Sequence, residues 1–287
     1  MVSKRVKSKV RRYAYAAMFI LLSGCVMKQG LRRIDDWAIL LNYSGYDPAA
    51  GYTEKYKDYD ILILDPDCNP GMLHNRHTLF FAYLSIGEAE SYREYWDIIK
   101  NEGFILEENP EWKGNYYVDI TAPAWSDLII SRVIPGIISK GFDGLFLDTI
   151  DTVDILKEKF PVGEPEKHMA EFIKKIKETF PGLKLISNNG FSVLEEIAGY
   201  VDIFLCEDIY MMPDFEKGGY KDVPAEDREY KVDILKNVSA RTGKPVLVID
   251  YLPEDDIKRK KETSRKIRKL GFKPYIAQKE LDRIYRQ

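Results

Sequence analysis

Two apolar runs of the chain end in carboxylates. One is Gly144-Leu145-Phe146-Leu147-Asp148, inside the longer segment Gly141–Asp151, and the other is Ile203-Phe204-Leu205-Cys206-Glu207. A strand that fixes its backbone and ends in a carboxylate is how parallel α/β folds present reactive groups to a pocket built by the following loop. Two carboxylates from different strands, one ionised and one holding a proton, are the minimum equipment for breaking a glycosidic bond. Asp148 and Glu207 are therefore the candidate catalytic pair. The apolar approach to Glu207 desolvates its carboxyl and raises its pKa toward that of an acid catalyst. An Asp after a strand also serves as a helix N-cap, the reading that suits Asp151 and Asp154. Asp143, at the strand entrance, suits a structural role, and Glu207-Asp208 admits a capping reading as well. A retaining enzyme holds its carboxylates roughly 5–5.5 Å apart and an inverting one ~6.5–9.5 Å, and sequence leaves both open.

The elements that position such a pair follow from periodicity. Short apolar, β-branched or aromatic runs predict eight strands: Ala38–Tyr43, Asp60–Leu64, Leu79–Ser85, Gly144–Asp148, Leu183–Asn188, Asp202–Glu207, Val246–Tyr251 and Pro274–Ala277. Several are apolar throughout, as strands covered on both faces are. Helical patterns fall between them at Ser91–Asn101, Ala124–Lys140, Glu166–Phe180, Val193–Ala198, Glu226–Thr242 and Glu254–Leu270, with Pro135 expected to kink the second. The predicted fold is α/β, a single (β/α)8 TIM barrel with a short accessory strand, Tyr116–Ile120, between strands three and four. An open doubly wound sheet is the alternative, disfavoured because Asn42–Tyr46 replaces a glycine-rich phosphate turn after the first strand.

In a barrel the strand ends face one mouth. That mouth would gather Tyr43, Tyr46, Asp65, Asp67, Tyr83, Ser85, Glu88, Asn188, Asn189, Asp208, Asp250 and Tyr251 around the pair. Carboxylates and amides that bond hydroxyls, beside aromatics that take sugar faces, are the lining a saccharide needs. Tyr43, Tyr46, Asp65, Tyr83, Glu88, Asn188, Asn189, Asp250 and Tyr251 are the candidate substrate-binding residues, with Glu88 able to bind substrate, hold a loop, or both. His74-x-x-His77 lacks a third ligand and precedes the third strand, so it makes a poor zinc site. A hard cation at Asp65, Asp67 or Glu88 is the remaining metal option. No Walker A loop, Gly-x-Ser-x-Gly elbow or Cys-His arrangement occurs, and no cofactor is implied.

The chain opens with a basic segment and an apolar run from Tyr13 to Leu22, too short to span a bilayer, followed by Leu22-Ser23-Gly24-Cys25. This resembles a bacterial lipoprotein signal with Cys25 as the lipidation site. The expected organisation is residues 1–24 signal peptide, 25–36 anchor and linker, and 37–287 catalytic domain, exported and tethered to the cell envelope by its lipid alone. With the six basic residues of 1–24 removed, 37 basic side chains of the chain's 43 face 46 acidic ones, a net charge of −9. Such a body argues against nucleic-acid partners and tolerates a cationic polymer. Cys68 and Cys206 follow different strands with no reason to pair. The 31% charged content, rich in Lys and Glu, hints at a heat-adapted source.

Gly141–Asp151, Tyr83–Glu90, Asn188-Asn189 and Cys206-Glu207-Asp208 together resemble glycoside hydrolase family 114, the endo-α-1,4-polygalactosaminidase-like barrels. The likeness runs from about Trp37 to Ile276 and is nearer to bacterial and archaeal members than to the fungal enzymes. It implies a (β/α)8 fold, Asp148 as nucleophile, Glu207 as general acid/base, and a polymer containing α-1,4-linked galactosamine as substrate. The expectation is an extracytoplasmic, endo-acting glycoside hydrolase with a polysaccharide or oligosaccharide partner. The alternatives are an envelope lipoprotein that binds carbohydrate without cutting it, and a structural role at the envelope.

Overall fold

Alternate apolar runs and amphipathic helices leave each run only one place to bury both its faces, between its neighbours and a layer of helices. A computed structural model describes residues 34–42, 59–70, 77–285 and 287. In chain order the strands are β1 Trp37–Leu40, β2 Ile61–Leu64, β3 Leu79–Ser85, β4 Glu88–Glu90, β5 Ile105–Glu108, β6 Asn115–Val118, β7 Gly144–Asp148, β8 Lys184–Asn188, β9 Ile203–Glu207, β10 Met211–Pro213, β11 Tyr220–Asp222, β12 Val246–Tyr251 and β13 Lys273–Ala277. Eight of them pair in the order β1-β2-β3-β7-β8-β9-β12-β13, every pair parallel. The seam between the first and last strands is closed by side chains: Trp37 Nε1 donates to the Lys273 carbonyl at 3.1 Å, and its ring lies 5.2 Å from that of Tyr275. This is the expected (β/α)8 barrel.

Glycine is required where β7 meets its neighbours, since a Cβ on Gly144 would stand 2.4 Å from the Lys184 carbonyl and 2.5 Å from the Phe81 ring. The helices are α1 Trp96–Ile99, α2 Pro123–Leu128, α3 Ile134–Ser139, α4 Thr152–Lys159, α5 Pro165–Thr179, α6 Leu194–Ile197, α7 Ala225–Thr242 and α8 Ile257–Lys269. A π-helical turn over Ile129–Val133 joins α2 to α3. Pro135 supplies no N–H to the preceding turn, and the helix widens into the π-helical turn just ahead of it.

Three expectations need correction. The accessory strand is the middle member of a three-stranded antiparallel sheet, β4-β6-β5; its partners are short and polar on one side, so alternation did not mark them. The helix expected over Ser91–Asn101 contracts to Trp96–Ile99 because turns occupy Ser91–Tyr95. Helix α4 was not anticipated; Asp151 does stand at its N-cap position, but its side chain makes no capping hydrogen bond. The stretch after Glu207 folds into the β10–β11 hairpin. Residues 1–33 and 43–58, and with them Cys25, Tyr43 and Tyr46, lie outside the described residues, as does His74.

Candidate active site

Register sets the floor of the mouth. Leu147 pairs with Ser187 across β7 and β8 and Asn188 with Leu205 across β8 and β9, so Asp148, Asn188 and Glu207 end three adjacent strands. Asn188, ending β8, stands between the two carboxylates. Its Nδ2 donates to Asp148 Oδ1 at 2.8 Å and to Glu207 Oε1 at 2.8 Å. Two contacts of 2.8 Å to one nitrogen bound the separation of the acceptor oxygens at about 5.6 Å, and the roughly 120° between the N–H bonds sets it near ~4.8 Å.

Each carboxylate has a tyrosine of its own. The Tyr251 hydroxyl donates to Glu207 Oε2, while Tyr83 lies near enough to Asp148 to feel its charge and packs against Phe146. Burial and the anionic neighbours push both phenols above their ordinary range, so both remain protonated. Desolvation at the base of the mouth, then the charge of Asp148, raises the Glu207 carboxyl, against the hydrogen bonds of Tyr251 and Asn188 that lower it. Burial wins, and Glu207 is biased toward carrying a proton.

The backbone beneath the site is bent in the same way three times. Thr149, Asn189 and Asp208, the residues immediately after Asp148, Asn188 and Glu207, have φ of 61°, 48° and 62°. A left-handed conformation costs a non-glycine residue of order 1–3 kcal/mol and persists only where the surroundings over-determine it. Those surroundings are visible. Thr149 Oγ1 accepts from Gly87 N at 2.9 Å and bonds Ser85 Oγ at 2.8 Å; Asn189 Oδ1 accepts from Glu207 N at 3.1 Å; Lys231 Nζ donates to the Glu207 and Asp208 carbonyls, each at 3.1 Å.

Other anticipated residues hold the scaffold. Asp250 is closed to solvent, and its carboxylate accepts from the backbone N–H groups of Ile209, Tyr210 and Met211 at 2.8, 2.8 and 3.0 Å. It fastens the chain leaving Glu207, with three backbone donors on a carboxylate shut off from solvent. Glu88, 2% exposed, accepts from Asn109 and Asn115 at 2.8 and 3.0 Å and secures the β5–β6 turn; of its two anticipated roles the structure assigns loop-holding. Asp65 pairs with Arg93 at 3.0 Å, and Asp67 with Arg93 and Lys140 at 3.4 and 3.2 Å. Ion pairs to Arg93 and Lys140 thus engage both carboxylates. Asn189 orients the Glu207 backbone, as above.

Sequence reading missed Lys231, Thr149 and the placement of Asp151. Nothing around Lys231 distinguishes it from other lysines on α7. Asp151 remains open to solvent at the rim, and partial desolvation with the charges of Asp148 and Glu207 raises its carboxyl pKa to about 7. Asp208 is raised to about 8, chiefly by burial and then by Glu207, and its Oδ1 is buried without a hydrogen-bond partner. Buried Asn188 Oδ1 is likewise unpartnered, since its amide is turned to serve both carboxylates.

A (β/α)8 barrel with carboxylates at the C-terminal ends of its fourth and sixth strands is an architecture suited to glycoside hydrolysis. The chain belongs to glycoside-hydrolase family GH114, whose profile matches residues 27–287. It is 32% identical to the Methanocaldococcus jannaschii protein MJ1477 over 71% of this chain and 62% of that relative. A Thermotoga maritima protein is 26% identical over 70% of this chain and 65% of its own length. The chain thus spans somewhat under two thirds of these curated relatives. The glycoside hydrolase domain of PelA from Pseudomonas aeruginosa superposes with TM-score 0.72 at 28% identity, covering 86% of this chain and 96% of that one. Aspergillus fumigatus Ega3, solved in complex with galactosamine, shares the fold with TM-score 0.66 at 16% identity, covering 86% of this chain and 92% of that one.

Proposed function

We propose that this protein is a retaining, endo-acting glycoside hydrolase that cleaves an internal α-glycosidic bond in a galactosamine-containing polysaccharide. The observation that carries the reading is the single Asn188 amide donating to both carboxylates, because a ~4.8 Å separation of the two acceptor oxygens lies nearer the roughly 5–5.5 Å of a retaining pair than the roughly 6.5–9.5 Å of an inverting one. Asp148 attacks the anomeric carbon while Glu207 gives its proton to the leaving glycosidic oxygen. The glycosyl ester on Asp148 is then broken by water that Glu207, now a carboxylate, deprotonates. Tyr251 and Asn188 stabilise Glu207 after it has lost its proton, and Asn188 holds Asp148 in line.

The sugar assignment draws on the acidic mouth. The charge of Asp148 raises the carboxyls of Glu207 and Asp151, and that of Glu207 raises those of Asp151 and Asp208, and a protonated amino sugar relieves that repulsion on binding. The galactosamine in the Ega3 complex supports the same choice. Export and anchoring through Cys25 complete the proposal, in keeping with a family match that begins at residue 27. Among the described residues no helix is long and apolar enough to cross a membrane.

The test is mass spectrometry of α-linked galactosamine and neutral galactan oligomers incubated with the protein that starts after Cys25. Fragments from the amino-sugar series, lost in Asp148→Asn and Glu207→Gln and formed with retained anomeric configuration, are expected. Turnover that survives in both variants overturns the assignment. Oligomers bound but left intact by the wild type favour the carbohydrate-capturing reading, which the same mouth would serve.

A further inference from the structure

Three segments meet through one side chain above the mouth. Phe215 sits in the turn of the β10–β11 hairpin, which leaves the sixth barrel strand after Glu207. Its ring lies 6.0 Å from that of Trp112 at 76°, and Trp112 belongs to the β5–β6 turn of the insertion after the third strand. The Lys279 Nζ stands 5.9 Å from the Phe215 ring, two residues beyond the end of the eighth strand, and the Lys279 N–H donates to Tyr220 Oη at 3.4 Å. All three segments follow strand C-terminal ends, so all lie on the catalytic face. In a ring of eight strands, a ring that leaves the sixth and touches loops of both the third and the eighth stands over the opening. The shorter way round the ring from the sixth strand to the third passes the ends of β8 and β7, where Asn188 and Asp148 sit.

Both aromatics are exposed on rigid turns. Trp112 is 51% and Phe215 54% accessible. The Trp112 turn is closed by backbone bonds from Trp112 N to Asn109 O and from Asn115 N to Trp112 O, and its two asparagines are the ones fastened to buried Glu88. The Phe215 turn is closed by Asp214, whose carboxylate accepts from Glu216 N and Lys217 N at 3.2 and 3.0 Å. Asp250 clamps the base of that hairpin. Large apolar faces held open to water by so many polar bonds are preorganised for a partner, and the partner of an aromatic face above a hydroxyl-binding floor is a pyranose ring.

We propose that Trp112 and Phe215 form an aromatic saccharide-binding subsite that bridges the mouth, so that the polymer is held between the carboxylates below and the two rings above. The subsite rests on the reading of the mouth as a saccharide cleft. It accounts for Glu88 and Asp250, whose buried carboxylates secure the β5–β6 turn and the base of the β10–β11 hairpin.

The experiment compares wild type, Trp112→Ala, Phe215→Ala, the double variant and the conservative Phe215→Tyr. Binding is read in the Glu207→Gln background by affinity electrophoresis against galactosamine polymer and neutral galactans, and turnover in the active background on long and short oligomers. Loss of one stacked ring is expected to weaken polymer binding roughly tenfold, from about 1–1.5 kcal/mol per aromatic contact, with KM on long oligomers rising equally, kcat falling less than twofold, and Phe215→Tyr restoring both. Alanine variants that bind and cleave as wild type does overturn the subsite while the hydrolase reading stands. A fall in kcat at constant KM, on short and long oligomers alike, also overturns it, because that marks a merely structural bridge. Polymer binding that depends on the two rings without cleavage by the wild type supports the subsite and fails the hydrolase reading. No retardation by any polysaccharide in the panel overturns the subsite.

Discussion

Replacing Asn188 with Ala is the most direct test of the paired-carboxylate geometry. The substitution removes two hydrogen bonds of 2.8 Å to charged acceptors, each worth about 1.5–3 kcal/mol. It leaves two acceptor oxygens ~4.8 Å apart, whose mutual repulsion when both are ionised is about 3 kcal/mol at an effective dielectric constant near 20. Water entering the vacated volume recovers part of the loss, so about 3–4 kcal/mol of transition-state stabilisation should vanish, a fall in kcat of roughly 10²–10³-fold. The pH profile carries the sharper sign. Asn188 is among the groups that lower the Glu207 carboxyl, so its removal pushes Glu207 further up and the alkaline limb of kcat/KM, where the acid loses its proton, moves to higher pH. The assay is the pH dependence of oligomer cleavage in wild type and Asn188→Ala, with thermal melts to establish that both are folded. A kcat within threefold of wild type, or an alkaline limb that stays or moves downward, would refute the reasoning.

Three further predictions follow from the scaffold. A Cβ at Gly87 would lie 2.2 Å from the Thr149 carbonyl and 2.1 Å from Thr152 Oγ1, so Gly87→Ala should displace the turn behind Asp148, costing about 2 kcal/mol in urea denaturation and at least tenfold in kcat. Asp250→Ala strands three backbone donors and should cost about 3–5 kcal/mol by the same denaturation measurement, with the hairpin at Met211–Asp222 losing amide-exchange protection first. Asp208, raised to about 8, binds a proton in the folded state across a window where the unfolded chain has released it. Stability therefore falls as pH climbs from about 4 toward 8. Asp208→Asn, which also tolerates the left-handed backbone, should melt above wild type at pH 9 and with it at pH 4; equal melting temperatures at both would remove the electrostatic account.

The fold was legible because its determinants are local. Five residues such as Gly144–Asp148, buried along the strand to the carboxylate, can only form a covered strand, and eight such runs alternating with helical patterns close into one architecture. The candidate pair was legible for the same reason, since a carboxylate that ends an apolar run is visible in one dimension. The β4-β6-β5 sheet and α4 were not, because their polarity is set by what covers them and not by an intrinsic period. Likewise, nothing in the types Asp250 and Glu88 distinguishes a carboxylate that meets substrate from one consumed by three backbone donors or two asparagine amides. By itself the sequence determined which residues end the strands and hence which groups can reach the mouth. Only the tertiary structure decided their spacing, because the shear of adjacent parallel strands is what brings Asn188 between Asp148 and Glu207. The same long-range packing lays Phe215 against Trp112, more than a hundred residues away in the chain, and no local pattern encodes that meeting.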